Sequence, residues 1–178
     1  MNEHDALQTV ADLMCLAART APKTRGVDVV LIRTTTEGDR ARLADEMDRI
    51  AAERDQAFFA RDAENLRASG ACVVIAARSH RAGLAVCSWC GHASCEANEA
   101  AGGTCVFNHI DLGIAASSAA GAAALHHADT RIMYTIGTAA RNIDLFDEPT
   151  TSALGLPLSA TGKSPYFDRK MPAPPRRS

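Results

Sequence analysis

The sequence of 178 residues has no long hydrophobic run, little excess charge of either sign and few aromatic side chains. No segment reaches the roughly 20 apolar residues that a membrane-spanning helix needs. The formal net charge of −2 gives no electrostatic reason to expect binding to nucleic acid or to an anionic membrane. Aromatic residues make up 4% of the chain whereas 47% is hydrophobic, much of it alanine, so we expect a core of small, closely packed side chains.

A secretory signal is also missing from the start of the chain. The first residues, MNEHDALQTVADL, have neither the basic flank nor the apolar run of a signal peptide. We therefore expect a cytoplasmic protein, in a compartment where disulfides are disfavoured. The six cysteines are then interpreted as buried thiols, metal ligands or catalytic groups.

Hydrophobic periodicity predicts helices that alternate with strands. VDVVLIR (27–33) and ACVVIAAR (71–78) are rich in β-branched residues and typical of buried strands. The remaining predictions are helices at 5–19, 37–55, 62–68 and 111–128, the last with Asp111 as its N-cap, a strand or helix start at 131–137, a helix at 138–146, and a loop from Pro149 onward.

This alternation predicts an α/β or α+β sandwich with one central sheet. Composition shows no internal repeat and no linker, so residues 1–170 are interpreted as a single domain. The cysteine-rich segment 84–106 is interpreted as an insertion into that domain. The tail 171–178, MPAPPRRS, is predicted to be disordered.

The densest chemical signal is CSWCGHASC at 87–95, which places three cysteines within nine residues. Cys105 supplies a fourth, and Cys87, Cys90, Cys95 and Cys105 then have the spacing C-x2-C-x4-C-x9-C. Four thiolates can hold a cubane iron–sulfur cluster through its four irons. Gly91 would let the chain turn tightly around such a body.

Other interpretations of the cysteines remain open. Structural zinc also uses four cysteines, but typically in two short pairs, and here the first three are clustered instead. Cys87 and Cys90 alone would form a C-x-x-C redox pair. Cys15 and Cys72 stand in apolar patterns and are interpreted as small buried hydrophobic residues. Trp89 would either shield a cluster from water or pack on the domain surface.

Five further segments are specific when taken together: AARTAPKTRGVD (17–28), FFARDAENLRAS (58–69), CVFNHIDLGIA (105–115), DTRIMYTIGTAAR (129–141) and GLPLSATGKSPYFDR (155–169). With the cysteine loop, they resemble an uncharacterised prokaryotic family that contains a ferredoxin domain (domain of unknown function 2148). The resemblance implies a 4Fe-4S cluster and leaves the reaction unassigned. In similar loops the first cysteine is often followed by glycine, whereas Ser88 stands here.

The body of the chain has a second, fainter resemblance. AARTAPKTRGVDVVLIR, LRASGACVVIAA, DLGIAASSAAGAAAL and GLPLSATGKS are similar to parts of flavin-dependent nitroreductases. This resemblance implies an α+β sandwich with one central mixed sheet, into which the iron–sulfur loop is inserted. It also implies FMN as a possible cofactor and a homodimer as the assembly.

The basic N-terminal motif that holds the flavin phosphate in nitroreductases is absent from this chain. Arg19, Lys23, Thr24 and Arg25 would substitute for it by giving charge and donors to a phosphate. The alternative is a solvated basic loop after a helix. GKS at 162–164 is not a phosphate-binding P-loop, because Leu156 stands where that motif needs its first glycine.

Three functional hypotheses follow. The first is an iron–sulfur redox protein that transfers electrons to or from a redox partner protein or a small-molecule substrate. The second is a nitroreductase-like, FMN-dependent oxidoreductase with a structural metal site. The third is a zinc-stapled interaction module without enzymatic activity.

Overall fold

A computed structural model of the chain describes residues 2–167. The predicted tail at 171–178 lies outside the described residues. The elements are α1 (Glu3–Thr20), β1 (Val30–Thr34), α2 (Glu37–Arg54), α3 (Ala57–Arg67), β2 (Ala71–Arg78), α4 (Cys95–Ala100), α5 (Val106–Leu125), β3 (Asp129–Thr130), α6 (Tyr134–Asn142) and β4 (Thr150–Ser159).

The four strands form one sheet in the order β1-β2-β4-β3, and every pairing in it is antiparallel. The prediction of an α+β architecture around one sheet is confirmed, but the mixed sheet is wrong for the residues described. Parallel neighbours need a crossover between adjacent strands. Here each strand instead meets its neighbours in opposite directions.

Helices cover both faces of the sheet and give it two apolar cores. β2 is buried on both sides because its alternate residues enter different cores. Val73 and Ile75 pack with α1 and α5, whereas Cys72 and Val74 pack with α2, α3 and α6. The core next to α1 and α5 is rich in alanine, which fits the small-residue core expected from composition.

The last strand corrects a prediction. β4 lies in the middle of the sheet and pairs with β2, although the chain from Pro149 was expected to be a loop. Its glycine and proline, which are turn signals in sequence, have packing roles instead. A Cβ on Gly155 would lie 2.3 Å from Ile136 Cγ2, so glycine is needed where α6 crosses the strand.

The helix after the cysteine loop also differs from its prediction. α5 begins at Val106 and not at Asp111, because Cys105 is the N-cap residue. Asp111 lies inside the helix and is buried. Residues 131–137 contain the start of α6, which fits the helix alternative, and that helix ends at Asn142, short of the predicted 146.

Among residues 2–167, no helix is long and apolar enough to cross a membrane.

Candidate metal centre

The four cysteines lie on the segment 79–105, which joins β2 to α5. Cys87 and Cys90 lie in irregular backbone, Cys95 is the first residue of α4, and Cys105 directly precedes α5. All four are half-buried and free. The side chain of Cys105 makes no capping hydrogen bond, so its sulfur is not used by the helix that it introduces.

Two residues with positive φ turn the chain between the first cysteines. Ser88 has φ 64° and Gly91 has φ 83°, and the Gly91 amide donates to the Ser88 carbonyl at 3.0 Å. Glycine adopts this left-handed conformation more readily than other residues. Glycine at position 88 would therefore adopt this turn more readily than Ser88 does.

The chain then folds back toward Cys105. Ser94 caps α4 by accepting from the Ala97 amide at 3.2 Å. Beyond the helix, a Cβ on Gly103 would lie 2.6 Å from Asn98 Nδ2. A larger side chain at Gly103 would therefore push the returning chain away from α4.

The result is a cavity of about 300 Å³ whose walls include Cys87, Cys90, Cys95 and Cys105. Within residues 2–167, no group of three or more His, Cys, Asp or Glu side chains is arranged to hold a metal ion. The four cysteines therefore line one cavity but are not positioned as the ligands of a single metal ion. A cubane cluster, which offers a different iron to each thiolate, fits such an arrangement.

Trp89 lies at the surface of this loop. Its side chain is 69% exposed and stacks on Phe107 with ring centroids 5.5 Å apart. Phe107 lines the cavity from the first turn of α5, whereas Trp89 is not among the lining residues. The stack ties the cysteine loop to the helix and agrees with packing on the domain surface.

Cys15 and Cys72, which lie outside the loop, have environments different from those of the four loop cysteines. Cys72 is fully buried in β2, and burial raises the pKa of its thiol to about 12. Cys15 on α1 lies 3.2 Å from Thr34 Oγ1, and burial raises its pKa as well. Both thiols favour the neutral form, whereas metal ligation requires the thiolate.

Two of the candidate flavin-phosphate residues make contacts at the end of α1. Arg19 Nη1 donates to Asp28 Oδ2 at 2.5 Å and to the Val30 carbonyl at 2.8 Å. Partial burial would raise the pKa of Asp28, but the hydrogen bond from Arg19 holds this pKa below its usual value. Lys23 Nζ donates to the carbonyls of Ala18, at 2.9 Å, and Arg19, and so caps the helix.

The other two candidates contact the region of the cysteine loop. The amide and hydroxyl of Thr24 donate to Asp111 at 3.0 and 2.9 Å. Arg25 Nη1 donates to the carbonyls of Ala82 at 3.0 Å and Gly83 at 3.3 Å. These donors are therefore used within the chain, and a phosphate would have to compete for them.

Asn108 is a residue of this region that sequence reasoning missed. With its amide oriented to satisfy both groups, its nitrogen donates to the His80 carbonyl at 3.0 Å and its oxygen accepts from the His80 amide at 3.2 Å. The contact pins the start of the loop to α5. No local pattern marks it, since the two residues are 28 positions apart.

Comparison with known proteins adds a relative along nearly the whole chain. An uncharacterised protein from Archaeoglobus fulgidus is 39% identical over 175 residues, which cover 94% of each chain. The family of uncharacterised proteins containing a ferredoxin domain (DUF2148) matches residues 101–169. The chain belongs to this family. Of the four loop cysteines, only Cys105 lies within the matched segment.

Solved structures share the fold at low identity. The hypothetical oxidoreductase YcnD from Bacillus subtilis superposes with a TM-score of 0.59 at 13% identity, over 94% of this chain and 62% of that protein. The FMN-dependent nitroreductase NfnB from Mycobacterium smegmatis gives 0.58 at 13%, over 87% and 78%. The NADPH:FMN oxidoreductase from Vibrio harveyi gives 0.57 at 12%, over 93% and 64%. This member of the ferredoxin-domain family therefore has a nitroreductase-like fold, and it spans less than two thirds of the length of YcnD.

Proposed function

We propose that the chain is an iron–sulfur redox protein in which Cys87, Cys90, Cys95 and Cys105 hold a 4Fe-4S cluster. The observation that carries the proposal is the cavity of about 300 Å³, whose walls include all four cysteines of the segment 79–105. Membership in a ferredoxin-domain family supports the same class of cofactor.

A 4Fe-4S cluster supplies one-electron redox chemistry at a potential set by charge, hydrogen bonds and solvent exposure. The chain's own residues would hold and insulate it. The thiols lose their protons when they become ligands, so loading should release protons. Val106 and Phe107 of α5 would cover one side of the cluster, and the exposed loop leaves the other side open to a redox partner protein or a small molecule.

Cysteine variants test the ligand set. Cys105→Ser should lose most of the iron and the visible absorption of the anaerobically purified protein, because serine is a poor substitute for a thiolate ligand. Cys72→Ser and Cys15→Ser are the controls and should keep the iron content of the wild-type protein. Full iron in Cys105→Ser, or loss of iron in Cys72→Ser, would show that the four ligands are wrongly chosen.

A second candidate function is an FMN-dependent oxidoreductase, which the nitroreductase-like fold favours. Arg19, Lys23, Thr24 and Arg25 are its candidate phosphate ligands, and a homodimer is its expected assembly. Lys23 and Arg25 now bind backbone carbonyls, whereas Arg19 also binds the carboxylate of Asp28 and Thr24 binds that of Asp111. A bound phosphate would have to replace these partners. Fluorescent flavin released on denaturation and a dimer mass by light scattering would support this function. A protein free of flavin that also fails to take up added FMN would refute it.

A zinc-stapled interaction module is the third candidate, and the same metal analysis separates it from the first. Zinc without sulfide, in a colourless protein, would support it. The six free cysteines suit a reducing compartment, so the cytoplasm remains the expected location.

A further inference from the structure

The turn between α1 and β1 has an unusual backbone. Arg25 has φ 56° and ψ 18°, and Gly26 follows with φ 69°. Two successive left-handed residues reverse the chain sharply, and glycine adopts this conformation more readily than arginine. The Arg25 side chain therefore extends from a left-handed backbone conformation that glycine would adopt more readily.

The Arg25 guanidinium reaches the beginning of the cysteine loop, 57 residues away in sequence. It donates to the carbonyls of Ala82 and Gly83 at 3.0 and 3.3 Å, and both of these residues line the thiol cavity. A Cβ on Gly83 would lie 3.3 Å from Arg25 Nη1, so glycine suits the close approach. The contact fixes one wall of the cavity.

The exposed guanidinium of Arg25 is bound by carbonyl oxygens. Among residues 2–167, it forms no ion pair with a carboxylate within 4.0 Å. Arg81, the other arginine near this loop, pairs with Glu96 at 3.2 Å and with Glu99 at 3.0 Å. Arg25 thus contributes an uncompensated positive charge beside the cavity, whereas the charge of Arg81 is balanced.

Two further contacts connect α5, the helix that follows Cys105, to the turn that carries Arg25 and to the start of the cysteine loop. Thr24, the neighbour of Arg25, binds Asp111 on α5, the helix that Cys105 introduces. Asn108 on the same helix holds His80 at the start of the loop. The turn and the first two turns of α5 therefore fix both ends of the segment that carries the cysteines.

We propose that Arg25 is a positioning residue for the thiol-lined cavity, where it clamps the start of the cysteine loop and supplies a fixed positive charge. The inference rests on the proposed iron–sulfur function. A nearby positive charge favours the more negative, reduced state of a cluster. Arg25 should therefore raise the midpoint potential as well as the cluster loading.

Three variants separate the charge from the clamp. Arg25→Gln removes the charge, so the midpoint potential should shift to a more negative value and the iron content should fall. Arg25→Lys keeps the charge but loses the planar forked donor, so the iron content should fall while the potential stays close to that of the wild type. Arg42→Gln is the matched control, because it changes the net charge equally on α2, across the sheet from α5. It should change neither quantity.

Hydrogen exchange of the metal-free protein tests the clamp without a cluster. In Arg25→Gln, the amide of His80, which donates to Asn108 at 3.2 Å, should exchange about tenfold faster than in the wild type, as expected when the charge-assisted hydrogen bonds that hold the neighbouring residues are lost. Amides of β2 should be unchanged, which would show that the variant folds. Arg25→Gly replaces it if Arg25→Gln does not fold, because glycine suits the left-handed backbone.

The outcomes distinguish this inference from the proposed function. A wild-type protein that loads a cluster, with Arg25→Gln identical to it in potential, iron content and exchange, would overturn the inference alone. A wild-type protein without iron and sulfide would refute the proposed function and the effect on potential. The exchange rates would then still decide whether Arg25 clamps the loop.

Discussion

The strand β2 and the cysteine loop that follows it are neighbours in sequence but opposite in construction. Every residue of β2 from Ala71 to Ala77 is fully buried. In the loop at 79–105, only Ala82 and Asn98 are buried, and Gly83, Ser88, Gly91 and Gly102 have positive φ. The strand is held by apolar burial, whereas the loop is held by turns and a few hydrogen bonds to α5 and to the turn at 24–26.

This difference indicates how stability and function are divided. Burial of apolar surface supplies most of the free energy of folding, so the body should fold without any ligand. The loop has little buried surface of its own, and its four thiols face a cavity. Changes in the body should therefore alter the free energy of unfolding, and changes in the loop should alter metal content.

The largest loss of stability is expected from Gly137→Ala in the body. A Cβ at this position would lie 1.8 Å from the Ala153 carbonyl oxygen, so α6 would have to move away from β4. We expect the free energy of unfolding to fall by about 4 kcal/mol or more, as measured by urea denaturation. Gly121→Ala is the control, because no atom lies within 4 Å of its Cβ, and it should stabilise α5 by about 0.5–1 kcal/mol. Equal changes in the free energy of unfolding for the two variants would contradict the close packing of α6 against β4.

A cavity in the core formed by α2, α3 and α6 should lower the free energy of unfolding somewhat less than Gly137→Ala does. Leu43 on α2 is fully buried, and Leu43→Ala should lower the free energy of unfolding by about 3 kcal/mol. Leu16, which is 60% exposed on α1, should lose no more than about 0.5 kcal/mol on the same change. The iron content should be unaffected in both, and its loss would show that body and loop are more tightly coupled than described.

Asp39 should make the stability of the body depend on pH. Burial alone would raise its pKa, but hydrogen bonds from Thr36 and Arg33 hold the pKa below its usual value of 3.8. Its stabilisation is therefore present above about pH 3.8 and is lost as pH falls through the lower folded-state pKa. Asp39→Asn should cost about 1–2 kcal/mol at pH 7 and flatten the acid limb of the stability curve. Asp12→Asn, at an exposed position of α1, is the control and should change the free energy of unfolding at pH 7 by no more than about 0.5 kcal/mol.

Thiol labelling compares the two regions without changing the fold. Burial raises the pKa of Cys72, which favours the unreactive neutral thiol, and the side chain is also fully buried. In metal-free protein at pH 8, iodoacetamide should modify all four loop cysteines before Cys72, as followed by peptide mass spectrometry. Early modification of Cys72 would show that β2 opens as readily as the loop.

Much of the body could be predicted from the sequence because its signals are local. The run ACVVIAAR predicted β2 at its observed bounds, and helical periodicity predicted α1 and α2 to within two residues. β4 was missed because Gly155 and Pro157 are turn signals locally, whereas here they serve contacts with α6 and with Thr130. The start of α5 was missed because aspartate is a common N-cap residue. In the structure, Asp111 lies inside the helix and accepts a hydrogen bond from the Thr24 amide instead.

Of the candidate site, only the four cysteines could be predicted from the sequence. The spacing of the four cysteines is a sequence signal, and the structure brings them to one cavity. The residues that hold the loop in place carry no such signal, because Arg25 contacts residues 57 and 58 positions away. Contacts at that separation depend on the sheet and helices being assembled first.

The most direct test is anaerobic iron and acid-labile sulfide analysis of the purified wild-type chain. The account predicts about four iron atoms and about four sulfides per chain, with broad absorption in the visible range. Protein that is properly folded but contains neither iron nor sulfide after anaerobic purification and reconstitution would contradict it.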